Sequence, residues 1–238
     1  MEPYYKRILL KLSGEALAGK AGYGIDSGII KQIASEVTDV HKAGVQIAIV
    51  IGGGNIFRGV SAAAKDFDRT TADTVGMLAT VINSLLFKET LKAFGVEAAV
   101  LSAIAMEKAA QFYTPERACK HLEKGRIIII AAGTGNPYFT TDTAAALRCA
   151  EIQCDVLLKA TKVDGIYDSD PAKNPHAVKL DCITHKEALE KGLRIMDATA
   201  FSLCMENAIP VIVFKLESGN LRRCIEGHPI GSMVKKGD

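Results

Sequence analysis

The sequence has 238 residues, of which 48% are hydrophobic and 24% are charged, and its formal net charge is +2. This composition is typical of a globular protein with one large or two small domains, and the small net charge argues against a nucleic-acid-binding surface. No apolar run approaches the roughly 18 residues that a membrane span needs. The six cysteines include no C-x-x-C pair, and the five histidines lack metal-ligand spacing. We therefore expect a cytoplasmic protein with reduced thiols, without a membrane or nucleic-acid partner.

Short apolar runs, which are typical of buried strands, alternate along the chain with longer segments of helical periodicity. We predict strands at 7–12, 45–51, 96–101, 127–131, 155–159, 211–214 and, as an edge strand, 232–235. We predict helices from Asp26 to about 44, at 71–93, from Pro115, and at 143–152, 185–191, 198–208 and 221–225. A polar loop at 161–175 is the longest segment rich in turn residues. Apolar strands separated by helices predict an α/β fold, a three-layer α/β/α sandwich around a mostly parallel, twisted sheet.

One loop has the composition of an anion-binding site. The stretch 132–142 follows the apolar run Ile127–Ala131, precedes a helix-like segment and is rich in glycine and threonine. Its backbone N–H groups and those of the first helical turn can face one phosphate, while Thr140 and Thr141 supply hydroxyls at the helix N-cap. Taken alone, the stretch equally fits a strand–helix connection capped by a threonine. Two more glycine loops follow other strands, and ligands of parallel sheets bind at such strand ends.

The other two glycine loops do not complete either of two common nucleotide-binding motifs. Gly14–Ala21 matches the P-loop except at Ala21, which replaces the hydroxyl residue that binds magnesium, and the glycines that follow would break the required helix. Gly52–Phe57 resembles a dinucleotide-binding fingerprint because it follows a strand, but Phe57 occupies the position where the third glycine is needed. The three loops therefore indicate a different phosphate site.

Lys11 ends the first strand, just before a turn of small residues. It lies between apolar neighbours, where an unpaired charge is costly, so we interpret it as a phosphate ligand rather than a solvated lysine. Gly52–Gly54 forms a second backbone cradle, and Arg58 follows it as a planar charge partner.

Four motifs, in this order and spacing, are shared with one family. They are Lys11–Glu15, Gly52–Asn55, Gly133–Pro137 and Lys159–Gly165. Together they resemble the amino acid kinase superfamily and, within it, the bacterial uridylate (UMP) kinases. The resemblance runs over nearly the whole chain, from about 6 to about 234. It implies a single amino acid kinase-like domain over 1–238, with an acceptor-side lobe at about 1–150 and a nucleotide-side lobe at about 151–238.

The resemblance also implies an activity. Members of this family transfer the γ-phosphoryl group of ATP to UMP, giving UDP and ADP in pyrimidine nucleotide biosynthesis, with Mg²⁺ bound to the ATP phosphates rather than to a protein site. The acceptor is already an oxyanion, so no general base is needed, and this sequence shows no convincing Ser/His/Asp or Cys/His set. Related enzymes are homohexamers that GTP activates and UTP inhibits, which makes this chain a candidate allosteric enzyme.

The site residues are carried over from the family by position. The resemblance implies catalytic roles for Lys11, Arg58, Asp142, Lys159 and Asp197. It implies ATP binding by Lys11, Leu12, Ser13, Gly14, Gly54, Arg58, Thr161, Tyr167 and Asp170. It implies UMP binding by Gly53, Asp73, Thr134, Gly135, Asn136, Pro137, Tyr138, Phe139, Thr140 and Thr141. It assigns the effector-linked segment to Gly19, Lys20, Ala21, Gly22, Tyr23 and Gly24.

Several alternatives stay open on the sequence alone. Asp142 and Asp197 each begin a predicted helix, so either could be an N-cap rather than a catalytic group. Asp73 could be a solvated acid at a helix start. The chain could also phosphorylate another acceptor, such as N-acetylglutamate, carbamate or aspartate, or bind uridine nucleotides as a non-catalytic sensor.

Overall fold

The computed structural model describes residues 3–57, 67–171, 173–193 and 195–237. The strands are β1 Arg7–Leu12, β2 Gln46–Ile51, β3 Ala98–Ser102, β4 Gln111–Phe112, β5 Ile127–Ala131, β6 Val156–Thr161, β7 Ile166–Tyr167, β8 Lys179–Leu180, β9 Cys182–Thr184, β10 Val211–Lys215 and β11 Ser232–Lys235. The helices are α1 Gly14–Leu17, α2 Ser27–Lys42, α3 Arg69–Ala93, α4 Pro115–Glu123, α5 Thr141–Glu151, α6 His185–Glu190, α7 Ala198–Glu206 and α8 Asn220–Ile225.

Nine of the described strands form one twisted sheet in the order β4-β3-β5-β2-β1-β6-β10-β11-β9. The pairs are parallel except for β10 with β11, which are antiparallel. The central strand β1 pairs with β2 on one side and β6 on the other. The prediction of a mostly parallel α/β sheet is confirmed.

Two hydrophobic clusters cover the two faces of this sheet. Alternate residues of β1 point to opposite faces, so Ile8 and Leu10 join one cluster and Leu9 joins the other. The first cluster holds apolar side chains of α2, α3 and α8, and the second those of α4, α5 and α7. The predicted three-layer α/β/α sandwich is therefore confirmed.

Local capping explains where the helices begin. Asp26 accepts hydrogen bonds from the N–H groups of Gly28 and Ile29 at the start of α2, as its place in the sequence predicts. Asp68 caps α3, which begins two residues before the predicted 71. Thr140 caps α5, which therefore begins at 141 rather than 143.

Among the described helices, α3 is the one that is long and apolar enough to cross a membrane, judged by length and composition alone. It packs against α2, β3 and β5, and it buries Phe87 and Leu91 completely. A helix that packs on the core of a globular protein passes the same test, and α3 packs on the sheet along one of its sides.

Two predictions on the last third of the chain are wrong. The strand at 232–235 is not an edge strand, because β11 lies between β10 and β9. The segment 161–175 is not a single loop, because β7 pairs with β8 in a separate two-stranded sheet. Both errors arise from strands of two or three residues, which are too short to show a periodic pattern. The division into lobes at about 150 stays a prediction.

Candidate active site

The predicted site residues lie mainly where parallel strands end. β1, β2 and β6 run in the same direction, so the segments that follow them meet at one edge of the sheet. In the register of these strands, Lys11 lies directly opposite Lys159. The fold thus places two lysines side by side from motifs almost 150 residues apart.

Asp142 joins these two lysines in what we term the lysine–carboxylate cluster, formed by Lys11, Asp142 and Lys159. Lys11 Nζ lies 2.8 Å from Asp142 Oδ1, and Lys159 Nζ lies 2.6 Å from Asp142 Oδ2. Lys159 Nζ also donates to the backbone oxygen of Ile195 at 2.6 Å. The three side chains are 12%, 17% and 13% exposed, so each charge depends on its neighbours rather than on water.

The electrostatics of the cluster follow from burial and contact. Burial by itself would raise the pKa of Asp142, but Lys11 and Lys159 outweigh it and hold that pKa below its ordinary value. Burial, together with the charge of Lys11, lowers the pKa of Lys159 despite the nearby carboxylate. The cluster therefore carries a net positive charge in a partly desolvated site, which suits a phosphate.

The structure separates the two candidate capping aspartates. Thr140, not Asp142, caps α5, so the capping alternative for Asp142 is wrong. Asp197 does cap α7, because its Oδ1 accepts from the N–H of Ala200 at 3.1 Å. Asp197 also accepts hydrogen bonds from the hydroxyls of Thr140 and Thr143, the latter at 2.8 Å. It thereby ties the first turn of α5 to that of α7.

Two glycine loops pack against each other beside the cluster. A Cβ on Gly14 would lie 2.6 Å from the backbone oxygen of Gly52 and 2.8 Å from the N atom of Gly54, so no side chain fits there. Ser13 accepts a hydrogen bond from the N–H of Ala16 and caps the short helix α1. Leu12 is fully buried. Backbone thus forms this wall, as the phosphate-cradle interpretation requires.

A pair of buried asparagines supports this wall, and sequence reasoning missed it. Asn83 donates to the backbone oxygen of Gly52 at 2.7 Å, and Asn55 and Asn83 exchange amide hydrogen bonds at 3.0 and 2.7 Å. Asn55 also donates to the backbone oxygen of Gly24 at 2.7 Å. A polar residue inside an apolar helix pattern was the available signal for Asn83, since buried amides need partners.

On one side of the cluster lies a cleft of about 570 Å³, the β5 cleft, between α3 and the loop after β5. The predicted UMP residues that line it are Gly53, Asp73, Thr134, Asn136, Phe139, Thr140 and Thr141. Gly54, predicted for ATP, lines it as well, whereas Gly135, Pro137 and Tyr138 do not. Asp73 accepts a hydrogen bond from the N–H of Tyr138 at 2.8 Å and pairs with Arg69 at 3.0 Å.

On the other side lies a second cleft of about 570 Å³, the β6 cleft, bordered by Lys159 and the segment after β6. The predicted ATP residues that line it are Thr161, Tyr167 and Asp170. Five other described residues that were predicted for ATP do not line it: Lys11 and Leu12 at the end of β1, Ser13 and Gly14 just after β1, and Gly54. Lys11 reaches this side of the site through Asp142, which also contacts Lys159.

The remaining predicted residues are placed as follows. Gly19, Lys20 and Ala21 form a single 3₁₀ turn. Gly22, Tyr23 and Gly24 come next, and the N–H of Gly24 donates to the backbone oxygen of Asn55. The predicted effector segment thus contacts the glycine wall. Arg58 lies outside the described residues.

A larger cavity, of about 640 Å³, contains none of the predicted site residues. It is bordered by α3 and the start of β3, with Lys88, Lys92 and Arg126 in its wall. Size alone does not locate chemistry. Of the two smaller clefts, the β6 cleft includes Lys159 of the cluster, and the β5 cleft includes Thr141, the chain neighbour of Asp142.

Two clefts of nucleotide size, a cationic cluster between them and a wall of glycine backbone define a phosphoryl-transfer enzyme. Such a site positions two anions and neutralises their charge, which is most of what this reaction requires. Residues 6–215 match the amino acid kinase family. The chain belongs to the amino acid kinase family.

Solved structures similar to this chain include three kinases. A UMP kinase from Bacillus anthracis is 36% identical, with a TM-score of 0.95, over 98% of this chain and 97% of that one. A UMP kinase from Ureaplasma parvum is 40% identical, with a TM-score of 0.92, over 97% and 99%. A uridylate kinase from Archaeoglobus fulgidus is 25% identical, with a TM-score of 0.74, over 95% and 99%.

The buried cluster predicts a stability effect that an exposed ion pair does not share. Asp142→Asn leaves two buried lysines without a carboxylate and should lower the free energy of unfolding by about 3 kcal/mol in urea titrations at pH 7. Without Asp142, the pKa of Lys159 falls further below its value in the unfolded chain. The unfolded chain then binds more protons, so the loss should shrink as the pH rises toward about 10.

The exposed pair of Glu89 with Lys92, at 3.3 Å, is the matched control. Glu89→Gln should cost less than about 1 kcal/mol. Equal losses in Asp142→Asn and Glu89→Gln would show that the cluster is not electrostatically special.

Proposed function

We propose that this chain is a UMP kinase, which transfers the γ-phosphoryl group of ATP to UMP and releases UDP and ADP in cytoplasmic pyrimidine nucleotide biosynthesis. The observation that carries the proposal is the position of the lysine–carboxylate cluster between two clefts, in a chain similar to UMP kinases along nearly its whole length. On this proposal the β5 cleft takes UMP and the β6 cleft takes the adenosine part of ATP.

The loop after β5 suits a nucleoside monophosphate. Thr140 and Thr141 stand at the N-terminus of α5, an 11-residue helix whose first N–H groups favour an anion. Asp73 lies in the same cleft and is a hydrogen-bond acceptor for ribose hydroxyls. If the phosphate of UMP lies at the helix and its ribose at Asp73, the backbone of Thr134–Phe139 is left to bind the base.

Catalysis then needs positioning and charge neutralisation rather than a general base. Lys11 and Lys159 place two ammonium groups beside the β6 cleft and next to Asp142, which holds both in one orientation. Asp197 fixes the first turn of α5 through Thr140 and Thr143. On this proposal the two clefts bring donor and acceptor phosphates together, while the lysines balance the charge that spreads over the transferred group.

The donor set of the site fits magnesium that is carried by ATP. Among the described residues, no group of three His, Cys, Asp or Glu side chains could hold a metal ion. The carboxylates of Asp142 and Asp197 are both engaged by protein donors. Mg²⁺ prefers substrate phosphates with few protein ligands, and there it would neutralise phosphate charge.

We also propose that GTP activates and UTP inhibits the enzyme through Gly19–Gly24. The support is the hydrogen bonding of Gly24 with Asn55, which connects this segment to the glycine wall. A rate titration with each nucleotide tests this assignment, and a flat response to both would contradict it.

We also propose assembly into a homohexamer, and one apolar face of α3 supports a contact between copies of the chain. The exposed residues Val75, Leu78, Ile82 and Leu86 recur at helical spacing and are 38–47% exposed. A stripe of this kind indicates a protein partner, and a second copy of α3 would cover it symmetrically.

An acceptor screen with magnesium ATP tests the function directly. We expect UDP from UMP, and no product from N-acetylglutamate, carbamate or aspartate. Turnover of a carboxylate or carbamate without turnover of UMP would assign the chain to another acceptor within the family. UMP binding without any turnover would make it a nucleotide sensor.

Lys11→Ala tests the catalytic role of the cluster. We expect turnover of UMP to fall at least about 100-fold, a loss of about 2.7 kcal/mol of barrier lowering, because one of the two cations is removed. The affinity for UMP, measured by titration calorimetry, should change little. Lys186→Ala, which removes an exposed lysine of α6, is the control. A Lys11→Ala enzyme as active as this control would remove Lys11 from the mechanism.

Ile82→Glu tests the assembly. A charge in the middle of the α3 stripe should reduce the molar mass measured by light scattering, because two such helices cannot pack around it. Leu189→Glu changes an apolar side chain that is similarly exposed on α6 and should leave the mass unchanged. An unchanged mass for both variants would show that α3 is not an interface.

A further inference from the structure

We infer that Arg148 is a positioning residue for the phosphoryl acceptor. It lies behind the loop that follows β5 and fixes the backbone that forms one wall of the β5 cleft. This role deepens the proposed function, on which its kinetic consequence rests.

The contacts of Arg148 converge on that loop. Arg148 lies two turns into α5 and is 5% exposed, which is unusual for a charged side chain. Its Nη2 atom donates to the backbone oxygens of Gly133 and Thr134 at 3.2 and 3.3 Å. Gly133 and Thr134 line the β5 cleft, whereas Arg148 does not. The guanidinium therefore reaches the acceptor only through the loop.

The loop needs such support because its backbone is strained. Ala132 and Gly133 have φ angles of 60° and 57°, in the left-handed region, and Ala132 carries a Cβ that disfavours it. Gly135 has a φ of 82°, and a Cβ there would lie 3.0 Å from the backbone oxygen of Ala103. Such a conformation persists only where its surroundings fix it. Hydrogen bonds to two successive carbonyl groups provide that constraint.

Two further residues hold Arg148 in place. Its Nη1 atom donates to Glu151 Oε2 at 2.8 Å, and its Cζ atom lies 4.1 Å from the centre of the Tyr113 ring. The Tyr113 hydroxyl donates to the same Glu151 oxygen at 2.7 Å. Burial, and then the hydrogen bond to Glu151, raise the pKa of Tyr113, so this hydroxyl stays a donor. The planar group is clamped by a ring and a carboxylate.

The contacts of Arg148 depend on the planar shape of its guanidinium group. Lysine keeps the positive charge, but its three N–H donors lie on one nitrogen. It therefore cannot reproduce the planar arrangement in which Nη1 meets Glu151 while Nη2 meets two carbonyl groups. Arg148→Lys thus separates the geometry of the guanidinium from its charge. Arg7 offers a matched control at the other end of α5. Its Nη1 donates to the backbone oxygen of Ile152 at 2.6 Å, away from the loop.

The experiment compares Arg148→Lys with Arg7→Lys by hydrogen exchange and by steady-state kinetics. We expect amides 133–136 to exchange at least about 10-fold faster in Arg148→Lys alone, because the loop then opens more often. We expect the KM for UMP to rise about 10-fold, while the KM for ATP and the kcat change less than about 3-fold. Thermal unfolding checks that both variants fold.

Each outcome bears on one proposal. Unchanged loop exchange, or equal changes in both variants, would overturn the positioning role. Faster exchange with an unchanged KM for UMP would also overturn it, because the loop would then not govern the acceptor. A parent enzyme that does not phosphorylate UMP would overturn the proposed function, while the exchange data would still decide whether Arg148 fixes the loop. If Arg148→Lys does not fold, Tyr113→Phe takes its place, with the same two criteria and a KM rise of about 3-fold expected.

Discussion

The carboxylate of Asp142, held between the ammonium groups of Lys11 and Lys159, is the contact on which the rest of the site depends. Two lysines opposite each other on neighbouring strands repel, and burial makes the repulsion stronger. One carboxylate with an oxygen for each lysine turns that repulsion into a bridge. Because the three residues come from β1, α5 and β6, the bridge also fixes how the helix sits on the sheet. The same three side chains therefore serve both the proposed chemistry and the packing of α5 on the sheet.

The remaining parts of the site follow from the parallel sheet. The segments of the site follow β1, β2, β5 and β6, and the two lysines of the cluster lie within β1 and β6. Glycine backbone forms the wall beside these groups because Gly14 lies so close to the backbone of Gly52 and Gly54 that it leaves no room for a side chain of its own. The loop after β5 adds strained backbone that α5 supports from behind. Anion binding thus comes from main-chain groups, with a few buried side chains to hold them.

Much of this organisation could be predicted from the sequence, and the limits have physical reasons. Runs such as Ile127–Ala131 are apolar throughout and bounded by turn residues, so their strands were predicted almost to the residue. Each phosphate loop alone also fits a capped strand–helix connection, and the loops were recognisable because three of them follow strands in one chain. Strands of two or three residues, such as β7 and β9, carry no periodic signal, and tertiary pairing alone defines them.

Side-chain roles inside the site were less predictable, because they depend on partners distant in sequence. From the sequence, Asp142 could have been either a helix cap or a catalytic group, but Thr140 takes the capping position and leaves the carboxylate for the lysines. Asn83 is a polar residue on a helix, and its partner Asn55 lies 28 residues away. Arg148 with Glu151 reads as an ordinary surface ion pair at helical spacing. Nothing local distinguishes it from one that is buried.

Helix α5 sets the distance between the lysine–carboxylate cluster and the acceptor loop after β5. Asp142 in its first turn sets the lysines, and Arg148, six residues later, meets the acceptor loop, so about 9 Å of rigid helix links the two. The length of this interval matters as much as the residues at its ends. One residue added between them would turn Arg148 by about 100° around the helix axis and carry it away from the loop. A flexible surface loop can change length at modest cost, whereas the number of residues between Asp142 and Arg148 is fixed by the helix.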